Sequence, residues 1–122
     1  MKTDISEHKL QVSFLDYLTV AGRRDLYWFA VPNAGLRSMR VGAMMKAEGL
    51  RPGVADLCFM LPAGRVGWLE FKTRTGSLSV YQQGFKHRCE MLDHPYAVAR
   101  SLDEAIAIVR GWGVLRNSEA AT

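Results

Sequence analysis

Two apolar runs around a short turn constrain this chain more than any other feature. Residues 54–61 (VADLCFML) and 65–72 (RVGWLEFK) flank Pro62-Ala63-Gly64. Apolar runs of this length bounded by turn residues read as buried strands, and so short a link makes them an antiparallel hairpin. Charges interrupt both runs. Asp56 sits between Val54-Ala55 and Leu57-Cys58-Phe59, and Glu70 and Lys72 flank Phe71. A charge in a central strand is costly unless it is paired or bound to a metal. Side chains alternate along a strand, so Glu70 and Lys72 share one face while Leu69 and Phe71 take the other. Pairing of the two runs brings Asp56 near Glu70 across the sheet.

The remaining segments place this hairpin in an α/β protein. Leu10, Phe14 and Leu18 recur at helical spacing within residues 4–21, and Gly22 closes that helix. Residues 26–31 (LYWFAV) read as a strand and 33–35 as a turn. A second helix is expected over 37–48, a polar loop over 73–78, a helix over 79–92, a strand over 96–99 and a last helix over 101–111. The last helix opens on Ser101 and Glu104, the spacing of a capping box. Strands interleaved with helices predict a central mixed β-sheet flanked by helices. The 122 residues suit a single domain, with a core over about 5–110 and a polar tail at 117–122. No apolar stretch approaches the ~18 residues of a membrane span, and no basic segment with an apolar run follows Met1. The expectation is a soluble, cytosolic protein. Cys58 and Cys89 fit neither a zinc motif nor a disulfide framework, and His8, His87 and His94 have no ligand spacing.

The net charge of +4, with 16 Lys and Arg against 12 Asp and Glu, is compatible with an anionic partner. Between Asn33 and Ala55 the basic residues Arg37, Arg40, Lys46 and Arg51 face only Glu48, and they could track phosphates or form an ordinary solvated face. Two converging carboxylates, Asp56 and Glu70, would offer an oxygen-rich site to a hard cation such as Mg²⁺, with Lys72 alongside to neutralise phosphate or orient a water. The alternative is structural: Glu70 and Lys72 as an ion pair at a strand end, and Asp56 bonded to backbone. Glu7 projects near the middle of the Leu10-Phe14-Leu18 stripe, although Asp4-Ile5-Ser6-Glu7 also has capping-box spacing. Ser79-Val80-Tyr81-Gln82 has the same spacing, which gives Gln82 a capping role.

Asp56 followed by Glu70-Phe71-Lys72 resembles the D…E-x-K pattern of the PD-(D/E)XK nuclease superfamily. The surrounding segments, Val31-Pro32-Asn33, Gly49-Leu50-Arg51-Pro52-Gly53-Val54-Ala55-Asp56, Leu69-Glu70-Phe71-Lys72 and Leu78-Ser79-Val80-Tyr81-Gln82, are similar to the virus-type replication and repair nuclease (VRR-NUC) domain. The likeness covers about residues 5–110. One departure is Ala55, where that family often has proline. The resemblance implies a restriction-endonuclease-like core and a metal-dependent DNA endonuclease. Asp56, Glu70, the Phe71 carbonyl and Glu7 would hold Mg²⁺ or Mn²⁺, Lys72 and Gln82 would serve the reacting centre, and Arg74 would contact phosphates near the cut. It further implies a homodimer acting on branched DNA, as a Holliday-junction resolvase. A flap or nicking nuclease and a non-catalytic DNA-binding protein are the alternatives.

Overall fold

A computed structural model describes residues 5–32 and 39–116. Its order is α1 (Glu7–Ala21), β1 (Tyr27–Ala30), α2 (Met39–Ala47), β2 (Leu57–Met60), a 3₁₀ turn (Pro62–Gly64), β3 (Val66–Phe71), α3 (Val80–Met91), β4 (Tyr96–Ala99) and α4 (Leu102–Gly111). The four strands form one mixed sheet in the order β1-β2-β3-β4, antiparallel except for the parallel β3–β4 pair. The expected architecture therefore holds. Arg37 and the Asn33–Gly35 turn lie outside the described residues, as do Asp4 and the 117–122 tail.

The expected hairpin forms, with Leu57 opposite Leu69 and Met60 opposite Val66. Both strands are shorter than their apolar runs, because hydrophobicity continues past the residues that share ladder hydrogen bonds. Alternation then sorts the two faces. Leu57, Phe59, Leu69 and Phe71 join Leu10, Phe14 and Leu18 of α1 and Ala105 and Val109 of α4 in one fully buried cluster. Phe14 touches the rings of both Phe59 and Phe71, with centroids 6.4 and 5.7 Å apart. The opposite face takes α3, whose Phe85 packs edge-on against Trp68 of β3 and Tyr96 of β4. Glu70 follows Trp68 by two residues and so belongs to the α3 face.

Two helix starts differ from expectation. Helix α1 begins at Glu7, because Ser6 is the cap and its Oγ accepts from the Lys9 N–H at 3.1 Å. Glu7 is thus the first helical residue. In α4, Ser101 caps the N–H of Glu104, but the Glu104 carboxylate accepts from the N–H of Arg100 instead of returning to Ser101.

Candidate active site

The start of β2, the end of β3 and the first turn of α3 meet at one place. Asp56 precedes β2 by one residue, and the register that pairs Leu57 with Leu69 sets it beside Glu70. Its Oδ2 accepts the N–H of Phe71 at 2.7 Å. This is the backbone bond anticipated by the structural alternative, and it holds the carboxylate against β3 without removing it from Glu70. The two carboxyl groups are within hydrogen-bonding reach of each other. Glu70 is 2% exposed and Lys72 9%, which makes them the two buried charged residues of the described chain.

The electrostatics follow from that burial. Desolvation is the main force raising the Glu70 pKa, followed by the charge of Asp56, and together they push it to about 8 against the opposing pull of Lys72. Asp56 is also raised, by desolvation first, while the Phe71 N–H and Lys72 work to lower it. After burial, the charge of Glu7 adds to the upward shift of both acids. Without a cation the pair thus tends to share a proton, as two carboxyls held close together must.

Gln82 serves two purposes at once. Its Oε1 accepts the N–H of Ser79 at 2.8 Å while Ser79 Oγ accepts the N–H of Gln82 at 3.1 Å, which completes the capping box. Its Nε2 donates to Glu70 Oε2 at 3.2 Å. Capping and site roles therefore coexist in one amide. The helix start is pressed onto the loop before β2 by Gly53, whose φ of +86° suits glycine, and where a Cβ would collide with the carbonyl of Tyr81.

The other Glu70 oxygen, Oε1, is buried and has no hydrogen-bond partner among the described residues. A buried carboxylate oxygen without a donor, beside a second acid, fits a divalent cation, which would supply the missing contact and offset the repulsion. Among the described residues no group of three or more His, Cys, Asp and Glu forms a ready cage. Two carboxylates leave most coordination positions to other oxygens, the pattern Mg²⁺ tolerates well. The Phe71 carbonyl leaves its strand on the side of its own N–H, the side on which Asp56 lies. Glu7 is exposed, and its charge reaches both acids.

A cleft of about 350 Å³ opens over Asp56 and Gln82, with Arg51, Pro32 and Ser79 also in its walls. Arg51 is thereby brought to the site. Arg74 is exposed just beyond Lys72, and Arg40 and Lys46 are exposed on α2 and do not line this cleft. A larger cavity, about 730 Å³, lies between the Pro62–Gly64 turn and residues 93–96, and none of the candidate site residues lines it. Sequence reading missed Arg100. Its Nη1 donates to the carbonyls of Thr73 at 2.9 Å and Gly76 at 2.6 Å, pinning the loop that follows Lys72. The one available signal was a lone cation at the end of the strand parallel to β3.

No family model and no curated protein matches the sequence. Similarity appears at the level of the backbone. A solved "VRR_NUC domain protein" superimposes with a TM-score of 0.75 at 16% identity, covering 90% of this chain and 89% of that one. A solved "VRR_NUC domain" gives a TM-score of 0.59 at 14% identity, over 88% and 99%. The chain shares the α/β fold of these VRR_NUC domains.

Proposed function

We propose that this protein is a Mg²⁺- or Mn²⁺-dependent endonuclease that hydrolyses DNA phosphodiesters in branched substrates, as a homodimeric Holliday-junction resolvase. The observation that carries the reading is the buried Glu70 carboxyl beside the half-buried Asp56, with a Glu70 Oε1 that has no partner among the described residues and Lys72 adjoining. Fold likeness to VRR-NUC domains supports it.

In this reading Asp56, Glu70 and the Phe71 carbonyl, with Glu7, would hold the cation. The bound cation supplies Lewis acidity toward the phosphate and lowers the pKa of water. Gln82 keeps the Glu70 carboxylate in one orientation through its Nε2 bond. The Lys72 ammonium orients the attacking water and compensates the charge that accumulates on the phosphoryl oxygens. Arg51 and Arg74 would position the strand through its phosphates. A two-fold dimer would present two such clefts to the two-fold arms of a junction.

The test is incubation with a labelled four-way junction, a flap and a linear duplex in Mg²⁺, Mn²⁺ or EDTA. Paired incisions in the junction that need the metal are expected. Lys72→Ala should retain fold and junction affinity while cleavage falls by about a hundredfold or more. Wild-type cleavage by that variant would remove Lys72 from the chemistry. Binding without product in any metal would leave a DNA-binding module, and preferred incision of the flap would replace the junction as substrate.

A further inference from the structure

A second cavity, about 490 Å³, opens along α3 and shares Arg51, Pro52, Val54 and Tyr81 with the cleft over Asp56. Tyr81, Gly84, Phe85 and Arg88 reach it from one stripe of the helix, at the spacing that stacks side chains on one face. Gly84 is the unusual member. Glycine is among the poorest helix formers, and here it sits in the interior of a 12-residue helix. A Cβ at Gly84 would meet nothing within 4 Å, so the packing of this chain does not require its absence. What a side chain there would take away is room in the cavity.

The lining has the chemistry of a nucleotide site. Arg51 and Arg88 bring two guanidinium groups, and among the described residues no carboxylate lines the cavity to oppose them. Phe85 is fixed by edge-on contacts at 5.1 Å to Trp68 and 6.1 Å to Tyr96. Tyr81 is 65% exposed. Aromatic faces beside cations bind single strands, because an unpaired base offers a free π-face and a phosphate next to it. A base stacked inside a duplex offers neither face.

We infer that this cavity takes one unpaired nucleotide of the DNA strand beside the scissile position, its base against Tyr81 and Phe85 over the Gly84 floor and its phosphate on Arg88 and Arg51. The inference deepens the nuclease reading, on which the word scissile rests. It makes unpaired bases at a branch point the feature recognised.

The experiment measures binding alone, by fluorescence anisotropy in EDTA. The probes are a labelled short oligothymidylate and a fully paired duplex of equal length. Gly84→Leu, which fills the cavity, and Arg88→Ala should each weaken oligothymidylate binding about fivefold or more, with duplex affinity changed less than about twofold. Gly84→Leu should also keep or raise the thermal midpoint, which separates cavity filling from misfolding. Unchanged oligothymidylate affinity in both variants would overturn the inference. So would equal losses on duplex, or wild-type protein that prefers the duplex. Because no cleavage is read, selective loss of oligothymidylate binding would stand even if the nuclease reading failed, and metal-dependent cleavage with unaltered oligothymidylate binding in both variants would sink the cavity alone.

Discussion

Glu70→Gln should make the metal-free protein more stable at neutral pH and abolish its response to divalent cations. Glu70 is 2% exposed, and desolvation together with Asp56 raises its pKa from 4.5 to about 8. For a carboxyl raised in the folded state, stability is fully present below the unfolded pKa and is lost as pH rises through the folded one. The window here runs from about 4.5 to about 8. Each pH unit inside it is worth about 1.4 kcal/mol, so the wild type loses on the order of 3 kcal/mol between pH 4.5 and 7 and on the order of 5 kcal/mol by pH 8. The upward shift of Asp56 acts in the same direction. Glutamine keeps the shape and an acceptor for Gln82 Nε2, and it carries no charge at any pH. Urea unfolding in EDTA reads this directly. At pH 7 the variant's midpoint should exceed that of wild type by about 2 M, taking an m value of about 1.5 kcal/mol/M. Mg²⁺ or Mn²⁺ should raise the wild-type midpoint, since a ligand that binds only the folded state stabilises it, and should leave the variant's unchanged. A wild-type stability that stays flat from pH 5 to 8, or a variant no more stable than wild type at pH 7, would refute the reasoning.

Two further substitutions probe the scaffold of the site. Gly53→Ala should cost about 2 kcal/mol or more in urea unfolding, since its φ is +86° and the new Cβ would strike the Tyr81 carbonyl at the start of α3; wild-type stability would show that this contact relaxes freely. Arg100→Ala leaves the carbonyls of Thr73 and Gly76 without their shared donor, at a cost of about 2 kcal/mol, and should speed amide exchange of the Gly76 N–H, which bonds Thr73 within the same loop. Exchange there at the wild-type rate would show that the loop holds itself.

What could be read from the sequence was set by local physics. Alternation in the two apolar runs gave the hairpin, its faces and the approach of Asp56 to Glu70, because a one-residue slip would have turned Leu69 and Phe71 out of the core. Strand ends were less legible, since Val54, Ala55 and Leu61 are as apolar as the paired residues between them. The start of α1 was ambiguous because Asp4 and Ser6 are both good caps, and Ser6 is the residue whose Oγ reaches Lys9. Long-range contacts left almost no trace. Pro52-Gly53 reads as a chain break, while the observed need for glycine comes from Tyr81, which is distant in sequence. Arg100 belongs to no periodic pattern, and its partners are carbonyls, which any sequence would supply.

Gln82 shows why local and functional readings need not compete. A capping box asks only for the carbonyl end of the amide, which accepts the N–H of Ser79. The NH₂ end is then fixed in direction and lies where Glu70 can accept from it. The same interaction that starts a helix thus orients a buried acid on the neighbouring strand. Glutamate at position 82 would satisfy the cap equally well by accepting from Ser79, yet it would set a third negative charge beside Asp56 and Glu70. Glutamine at this cap avoids that added charge at no cost in helix propensity, which is similar for the two residues.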